Sequence, residues 1–362
     1  MASCGRSVGT MSDQQGAPMD VPLEVVASSD MSEWDRFVQT TPDSTFCHLG
    51  GWREIMTEVL GHECMYLVAR GHSAGIRGVL PLVRVRSILG HFLVSVPFLN
   101  DGGPIGDEQA KRALTDFAVR EAQRSSAALL ELRSRTESAS PVVEHSFRKI
   151  KVHLRLPGSV EELWSQTFKA KIRSQIRRPG KEGMITRVGH DQLDPFYRVF
   201  SRNMRDLGTP VLPRTFFERL VQVFGDRIMF VTVNTATGLP VAASCCMTWR
   251  DEMEVTWASS LREFNQLSPN MLLYATMMEL AVTGGVRVFN FGRSSPGATT
   301  HRFKQQWGGD DVQLPWAFWS KRTDFGTPSG DSPAFRLAVA AWRRLPVAIA
   351  NRLGPTLARQ LP

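Results

Sequence analysis

A β-hairpin, a helix and a further strand follow one another twice along this chain, and that recurrence limits the fold more than any other feature. In the first occurrence, Cys64–Ala69 and Arg77–Val85 read as strands around the turn GHSAG, Lys111–Ser125 as a helix and Ala128–Leu132 as the next strand. Ser32–Gln39 and Gly51–Leu60 precede them as helices. In the second, Ile228–Val233 and Val241–Thr248 flank the turn NTATGLP, Glu252–Ser259 adds a strand, and Ser268–Thr283 is a helix with marked ends. Ser268 fits the N-cap, Pro269 the first turn, and Gly284 with Gly285 the exit. A strand through Val286, Val288, Phe289 and Phe291 follows. Strands and helices intermixed in both halves predict an α/β architecture (α+β, mixed sheet) built from two copies of one domain. Length agrees, because 362 residues exceed one ordinary core and divide naturally into domains of about 130 to 170 residues.

The most informative single stretch is FNFGRSSPGATTHRFKQQWGGD, Phe289 to Asp310. A buried strand ends at Gly292, a Gly/Ser/Pro loop runs from Ser294 to Thr300, and a short helix then holds Phe303, Lys304 and Trp307. Loops after strand ends are where function collects. A lysine fixed between Phe303 and Trp307 is partly desolvated and stabilises negative charge better than a free surface lysine. The alternative is an amphipathic turn whose aromatics pack inward and whose lysine faces water.

That glycine-ended strand followed by Phe-Lys-x-x-(aromatic)-Gly resembles the C-terminal signature of the FemAB-like aminoacyl or acyl transferases, a tandem GNAT-fold group. Two further stretches match in order. FKAKIRSQIRRPGKEGMITRVG, Phe168 to Gly189, is similar to that family's basic helix-then-strand segment. LGTPVLPRTFF, Leu207 to Phe217, is similar to a turn in its exopolysaccharide and PEP-CTERM-associated branch. The resemblance covers roughly residues 150 to 320. It implies two tandem GNAT-like (acyl-CoA N-acyltransferase-like) domains over 23–150 and 151–325, after a disordered tail over 1–22 and before a basic amphipathic segment over 326–362. It also implies that Lys304, with Phe303, serves the tetrahedral oxyanion, and that Arg173 and its basic neighbours lie near phosphate or tRNA.

Spacing speaks independently in the segment from Ser159. Ser159 and Glu162 make a capping box, and Pro179 is expected to end the helix. Trp164, Phe168, Ile172 and Ile176 form an apolar stripe beside a basic ridge of Lys169, Arg173, Arg177 and Lys181, widened by Lys171 and Arg178. Like charges at this spacing repel, so a counter-anion is expected; the alternative is a solvated face. RRPGKEG, Arg177 to Gly183, superficially resembles a pyrophosphate loop but follows a helix and precedes a strand, the reverse of what phosphate cradling at a helix N-terminus needs. This weighs against acyl-CoA and favours a donor held in some other way, which in the resembled family is commonly aminoacyl-tRNA.

A formal net charge of +8 favours anionic partners: RNA, phosphorylated precursors or an acidic membrane surface. The five cysteines form no C-x-x-C pair, which suits a reducing cytosol, and no metal or redox cofactor is expected. The eight histidines are scattered, and His301 reads as a surface residue. Arg293 is either an anion contact or a partner of Asp310 or Asp311, and Asn270 opens the Ser268 helix as a substrate contact. Asn100 to Gly103 follow an apolar run and shape either an acceptor cleft or a tight turn. Cys245 and Cys246 are packing residues. Pro333–Pro362 carries Arg336, Arg343, Arg344, Arg352 and Arg359 and no acidic residue, which fits either an anionic inner-membrane surface or docking on the protein itself.

The resulting expectation is a cytoplasmic, peripherally membrane-associated transferase that moves an aminoacyl or acyl group onto an amine of a phosphorylated or lipid-linked cell-envelope precursor, such as one of peptidoglycan. Alternatives are acyl-CoA-dependent acetylation of an exopolysaccharide sugar amine, and a non-catalytic module that binds anionic polymer or membrane.

Overall fold

The computed structural model describes residues 23–71, 75–88, 90–321 and 333–362; the tail over 1–22 and the boundary expected at 325/326 lie outside the described residues. The first half comprises β1 (Glu24–Ala27), α1 (Met31–Thr40), α2 (Gly51–Glu58), β2 (Glu63–Arg70), β3 (Ile76–Ser87), β4 (Gly90–Val94), β5 (Ile105–Gly106), α3 (Glu108–Arg124) and β6 (Leu129–Leu132). The chain continues through β7 (Glu144–Arg155), α4 (Val160–Glu162), α5 (Ala170–Lys181), β8 (Ile185–Val188), α6 (Leu193–Leu207) and α7 (Arg214–Phe224). Then come β9 (Ile228–Asn234), β10 (Pro240–Trp249), β11 (Glu252–Ser260), α8 (Pro269–Thr283), β12 (Val288–Ser294), α9 (Thr299–Gln305) and β13 (Asp310–Ser320). Helices α10 (Pro333–Trp342) and α11 (Val347–Ala358) close the chain.

All strands join one mixed sheet in the order β1-β2-β3-β4-β6-β13-β7-β12-β11-β10-β9-β8, with β5 beside β3. The recurrence seen in the sequence is present on both sides of its middle. An antiparallel run β1-β2-β3-β4 ends in a parallel pair, β4 with β6, and β8-β9-β10-β11 ends in another, β11 with β12. Strands β13 and β7 fill the middle, and β13, late in the chain, pairs with β6 of the first half. The boundary expected between residues 150 and 151 falls inside β7.

Helices cover both faces. On one, α1 and α2 share a single apolar cluster with α6 and α7, where Trp34, Trp52, Phe196, Phe216 and Phe217 are fully covered. On the other, α3 packs on the first half and α5 with α8 on the second. Local signals set the helix ends. Asp30 accepts the Ser32 and Glu33 amides at the start of α1, Asp107 accepts that of Ala110 at α3, and Gly208 at φ +80° closes α6.

Three expectations change. The single helix expected from Ser159 to Pro179 is broken: extended backbone at Phe168 (ψ 108°) separates α4 and the wider helical turn Leu163–Thr167 that continues it from α5. Helix α5 runs past Pro179 to Lys181, because a proline in the last turn removes one helical hydrogen bond and its own carbonyl still accepts from Glu182 and Met184. Ser268 precedes α8 as expected, yet it adopts φ +59° and its side chain makes no cap bond. No described helix is long and apolar enough to cross a membrane.

Candidate active site

The site starts where β12 parts from β11. Their parallel pairing spans only Glu252↔Val288, Met253↔Phe289 and Glu254↔Asn290, after which the strands diverge. Gly292 turns the chain at φ +71°, and a Cβ there would come within 2.6 Å of the Val255 carbonyl, so glycine is required on both counts. Phe289 and Phe291 anchor one side of β12 in the core, while Asn290 is fully covered on the other and accepts the Gly292 amide at 2.9 Å.

Helix α9 then carries Lys304 back onto this turn. Its Nζ donates to the carbonyls of Gly292 (2.8 Å) and Arg293 (2.9 Å), and the residue is 7% exposed. An ammonium has three donors, so one remains for whatever occupies the adjoining cleft. Burial pulls its pKa down to about 8, against the pull of the Glu254 carboxylate and with help from Arg293. Desolvation comes from this wall rather than from a sandwich between aromatics: Phe303 packs against Tyr274 (5.1 Å between centroids) and Trp307 against Phe168 (5.6 Å).

The cleft encloses about 440 Å³ and draws on both halves: Asn100 and Arg133 from the first, and Val255–Ala258, Tyr274, Arg293, Thr300 and Lys304 from the second. Thr209, Pro210 and Leu212 from the LGTPVLPRTFF segment line it too, so two of the three sequence motifs converge here. Leu361 and Pro362 complete the wall. The third motif lies elsewhere. Arg173 donates to the Trp164 and Phe168 carbonyls at the break before α5, Arg177 lies 5.7 Å over the Trp164 ring, Lys169 is exposed, and none of them lines the cleft. Asn270, in the first turn of α8, donates to Ser260 Oγ at 2.9 Å, one turn before the cleft residue Tyr274.

Arg293 reaches into the cleft and pairs with neither Asp310 nor Asp311. Its guanidinium lies 5.0 Å over the Trp316 ring, with that of Arg133 4.9 Å from the same ring. The Arg293 side chain is exposed at the cleft, and nearby protein together with the Arg133 charge lowers its pKa. Lys149 donates to Ser295 Oγ beside it, its pKa lowered by burial and by Arg293. Asp311 is engaged by His301, which is 5% exposed rather than a surface residue; its Nδ1 accepts the Gly297 amide and its Nε2 meets Asp311 at 2.9 Å, pinning the loop before α9.

Beneath the cleft lies a network that sequence reading missed. Lys151 Nζ, wholly covered, donates to Asp101 Oδ2 (2.5 Å) and Glu254 Oε2 (3.0 Å). Arg135 bridges Asp101 and Glu252, Asn100 donates to Glu254, and Asn290 to both glutamates. Burial alone would raise the Asp101 carboxyl, but Arg135 and Lys151 hold it well below the usual carboxylate range, and they hold Glu252 at about 2. Asn100 and Asp101, read as cleft or turn, take separate roles: Asn100 lines the cleft, and Asp101 ties the halves together through Arg135 and Lys151. Cys245 and Cys246 are fully buried in β10.

Residues 166–305 match the family described as an acetyltransferase (GNAT) domain. No curated protein matches the sequence. Among solved structures, FemX superposes with a TM-score of 0.63 at 15% identity, over 82% of this chain and 97% of that one. L-PGS from Bacillus licheniformis gives 0.56 at 12% identity, over 89% and 100%. A tandem GNAT protein from the clavulanic acid biosynthesis pathway gives 0.52 at 13% identity, over 83% and 98%. The fold is thus mixed α/β, with two GNAT-like units in tandem.

Proposed function

We propose that this chain is a FemAB-like transferase that moves an aminoacyl or acyl group onto an amine of an anionic cell-envelope precursor. The observation that carries this reading is Lys304: a buried ammonium, fixed by two carbonyls, with one donor left at the wall of a cleft shared by both halves. When an amine attacks an ester carbonyl, negative charge collects on the carbonyl oxygen before the ester alkoxide leaves and takes up a proton. A preorganised cation in a partly dry site stabilises that charge without reorganising. Attack on an ester is intrinsically easy, so positioning plus one fixed cation suffices without a covalent nucleophile.

Arg293, over Trp316 and beside Arg133, supplies a second positive locus suited to a phosphate or carboxylate of a substrate. The likeness to FemX and L-PGS supports an aminoacyl donor, which the basic ridge on α5 would help to hold through tRNA phosphates. An acyl-CoA donor, as for acetylation of a polysaccharide amine in the exopolysaccharide and PEP-CTERM-associated branch, is the second reading. It is favoured by the open edge of β11 after Glu254, where an amide-bearing arm can add to unpaired backbone, and by the acetyltransferase description of residues 166–305.

The test is single-turnover transfer from charged tRNA and from acyl-CoA to amine-bearing precursors, comparing the native chain with Lys304→Met. Loss of turnover with donor binding intact supports the enzyme reading. Binding of anionic polymer with no turnover from either donor favours a non-catalytic module instead.

A further inference from the structure

Helix α11 is built inside out. Its small residues, Ala350, Gly354 and Ala358, recur every four positions and are buried. They let the helix approach so closely that a Cβ on Gly354 would lie 2.8 Å from the Val211 side chain and 2.9 Å from its amide nitrogen. The large apolar residues recur at the same spacing on the outward face: Ile349 is 45% exposed, Leu353 48% and Leu357 38%. Ordinary amphipathic packing places such residues inward. Nor is the patch confined to one helix. Leu337 of α10 is 72% exposed, and Leu207, whose carbonyl accepts from Arg343, is 46% exposed. Ile88, whose amide donates to Gln360 just beyond α11, is 88% exposed.

The charge that the C-terminal segment itself brings to this face has one sign, while Asp206 beside Leu207 and Glu63 near Ile88 pair with Arg205, Arg84 and Arg86. No Asp or Glu occurs between Pro333 and Pro362, and Arg336, Arg344, Arg352 and Arg359 pair with no acidic side chain among the described residues. A solvated surface helix normally carries acidic residues that offset such a run. A second copy docked isologously through this face would set arginine against arginine. Apolar side chains ringed by unpaired arginines instead complement a surface that is apolar within and anionic at its boundary.

We propose that the outward face of α11, continued by Leu337 and Leu207, is a docking surface for an anionic lipid bilayer, on which the helix lies parallel to the membrane plane. Leu361 and Pro362, three and four residues past the end of α11, line the Lys304 cleft, so docking brings the cleft mouth towards the lipid boundary. The docking does not depend on the transferase reading. Only the consequence that a lipid-borne acceptor enters directly from the bilayer does.

The experiment is co-sedimentation of the full chain with vesicles of phosphatidylcholine alone and of phosphatidylcholine with one third phosphatidylglycerol. The full chain should pellet with the anionic vesicles and be released by high salt. Leu353→Ser combined with Leu357→Ser should weaken partitioning about tenfold or more. Arg344→Gln combined with Arg352→Gln should weaken it roughly 25-fold, about fivefold for each near-surface arginine. All four side chains are outward, so unchanged far-UV circular dichroism and melting temperature should accompany both changes; if the serine pair fails to fold, the arginine pair carries the test. Three results would overturn the proposal: no pelleting of the full chain, pelleting of both variants equal to that of the native chain, or a concentration-dependent dimer in sedimentation velocity that the serine pair dissolves. Because no substrate is involved, failure here and failure of the transferase reading are separate outcomes.

Discussion

In each half of the sheet a parallel strand pair runs into a loop that bears cations, and the two halves treat those cations differently. After β6 in the first half, Arg133 is 4% exposed and held by Glu131 and the Leu99 carbonyl, while Arg135 is held by Asp101 and Glu252. At the end of β12 and just beyond it in the second half, Arg293 lies over an aromatic ring and Lys304 donates to carbonyls, and among the described residues neither forms an ion pair with a carboxylate. A carboxylate cancels a buried cation's field, whereas a carbonyl or a ring holds the cation in place and leaves its charge for a ligand. One topology thus yields a joint on one side and a wall of uncancelled positive charge on the other.

The joint should give the largest effect when broken. Lys151→Met leaves Asp101 and Glu254 buried without their shared cation and should cost about 3 to 5 kcal/mol in urea unfolding. A cost below about 1 kcal/mol would mean that the network does not fasten the halves. Acid tests the same joint. Carboxyls held below their unfolded values contribute stability that is present above about pH 4 and is lost as pH falls towards about 2, where Glu252 titrates. Lys151→Met should blunt that loss.

On the charged wall, Lys304→Met should lower kcat about 100- to 1000-fold, the usual consequence of removing one preorganised donor to an oxyanion. The native rate should fall as pH rises through about 8, where the ammonium deprotonates, and Lys304→Arg should move that limb upward because guanidinium stays charged. Stability should move the other way. A lysine whose folded pKa lies below its unfolded value penalises the fold at low pH, and that penalty fades between about 8 and 10.5. A native rate that stays flat up to pH 10 would show that the ammonium is not the electrostatic element.

The same contrast explains what could be read beforehand. Hairpins β2–β3 and β9–β10, helix α8 and the Gly292-to-Lys304 turn announce themselves through local alternation, caps and glycine, so their positions were legible. Strand β13 was not. Pro315 interrupts it, and only pairing with β7 on one side and β6 on the other, shifted in register between Leu314 and Trp316, makes it a central strand. In β7, Lys149, Lys151 and His153 alternate with Ile150, Val152 and Leu154, which looks like a strand with one wet face. The other half of the molecule covers that face, and Lys151 is wholly buried. Arg133 and Trp316 stayed invisible for the same reason: 183 positions separate them, and only the crossing of β13 into the sheet's middle brings them to Arg293. Nothing local distinguishes such an arginine from a solvated one.

Smaller changes can show whether Arg293 acts as a ligand site or merely fills the cleft. Arg293→Ala should raise KM for an anionic substrate about tenfold and leave kcat nearly unchanged, since a contact made equally in ground and transition states affects binding alone. Trp316→Phe keeps the strand filled while weakening the ring's hold on the guanidinium, and should raise KM only about two- to fivefold. The two should not add. If the ring acts by presenting Arg293, the double variant binds no worse than Arg293→Ala, and the coupling in the cycle equals the whole effect of Trp316→Phe. Additive losses would mean that Trp316 supports the cleft through Arg133 or through packing, and that Arg293 is held in place by something other than its ring.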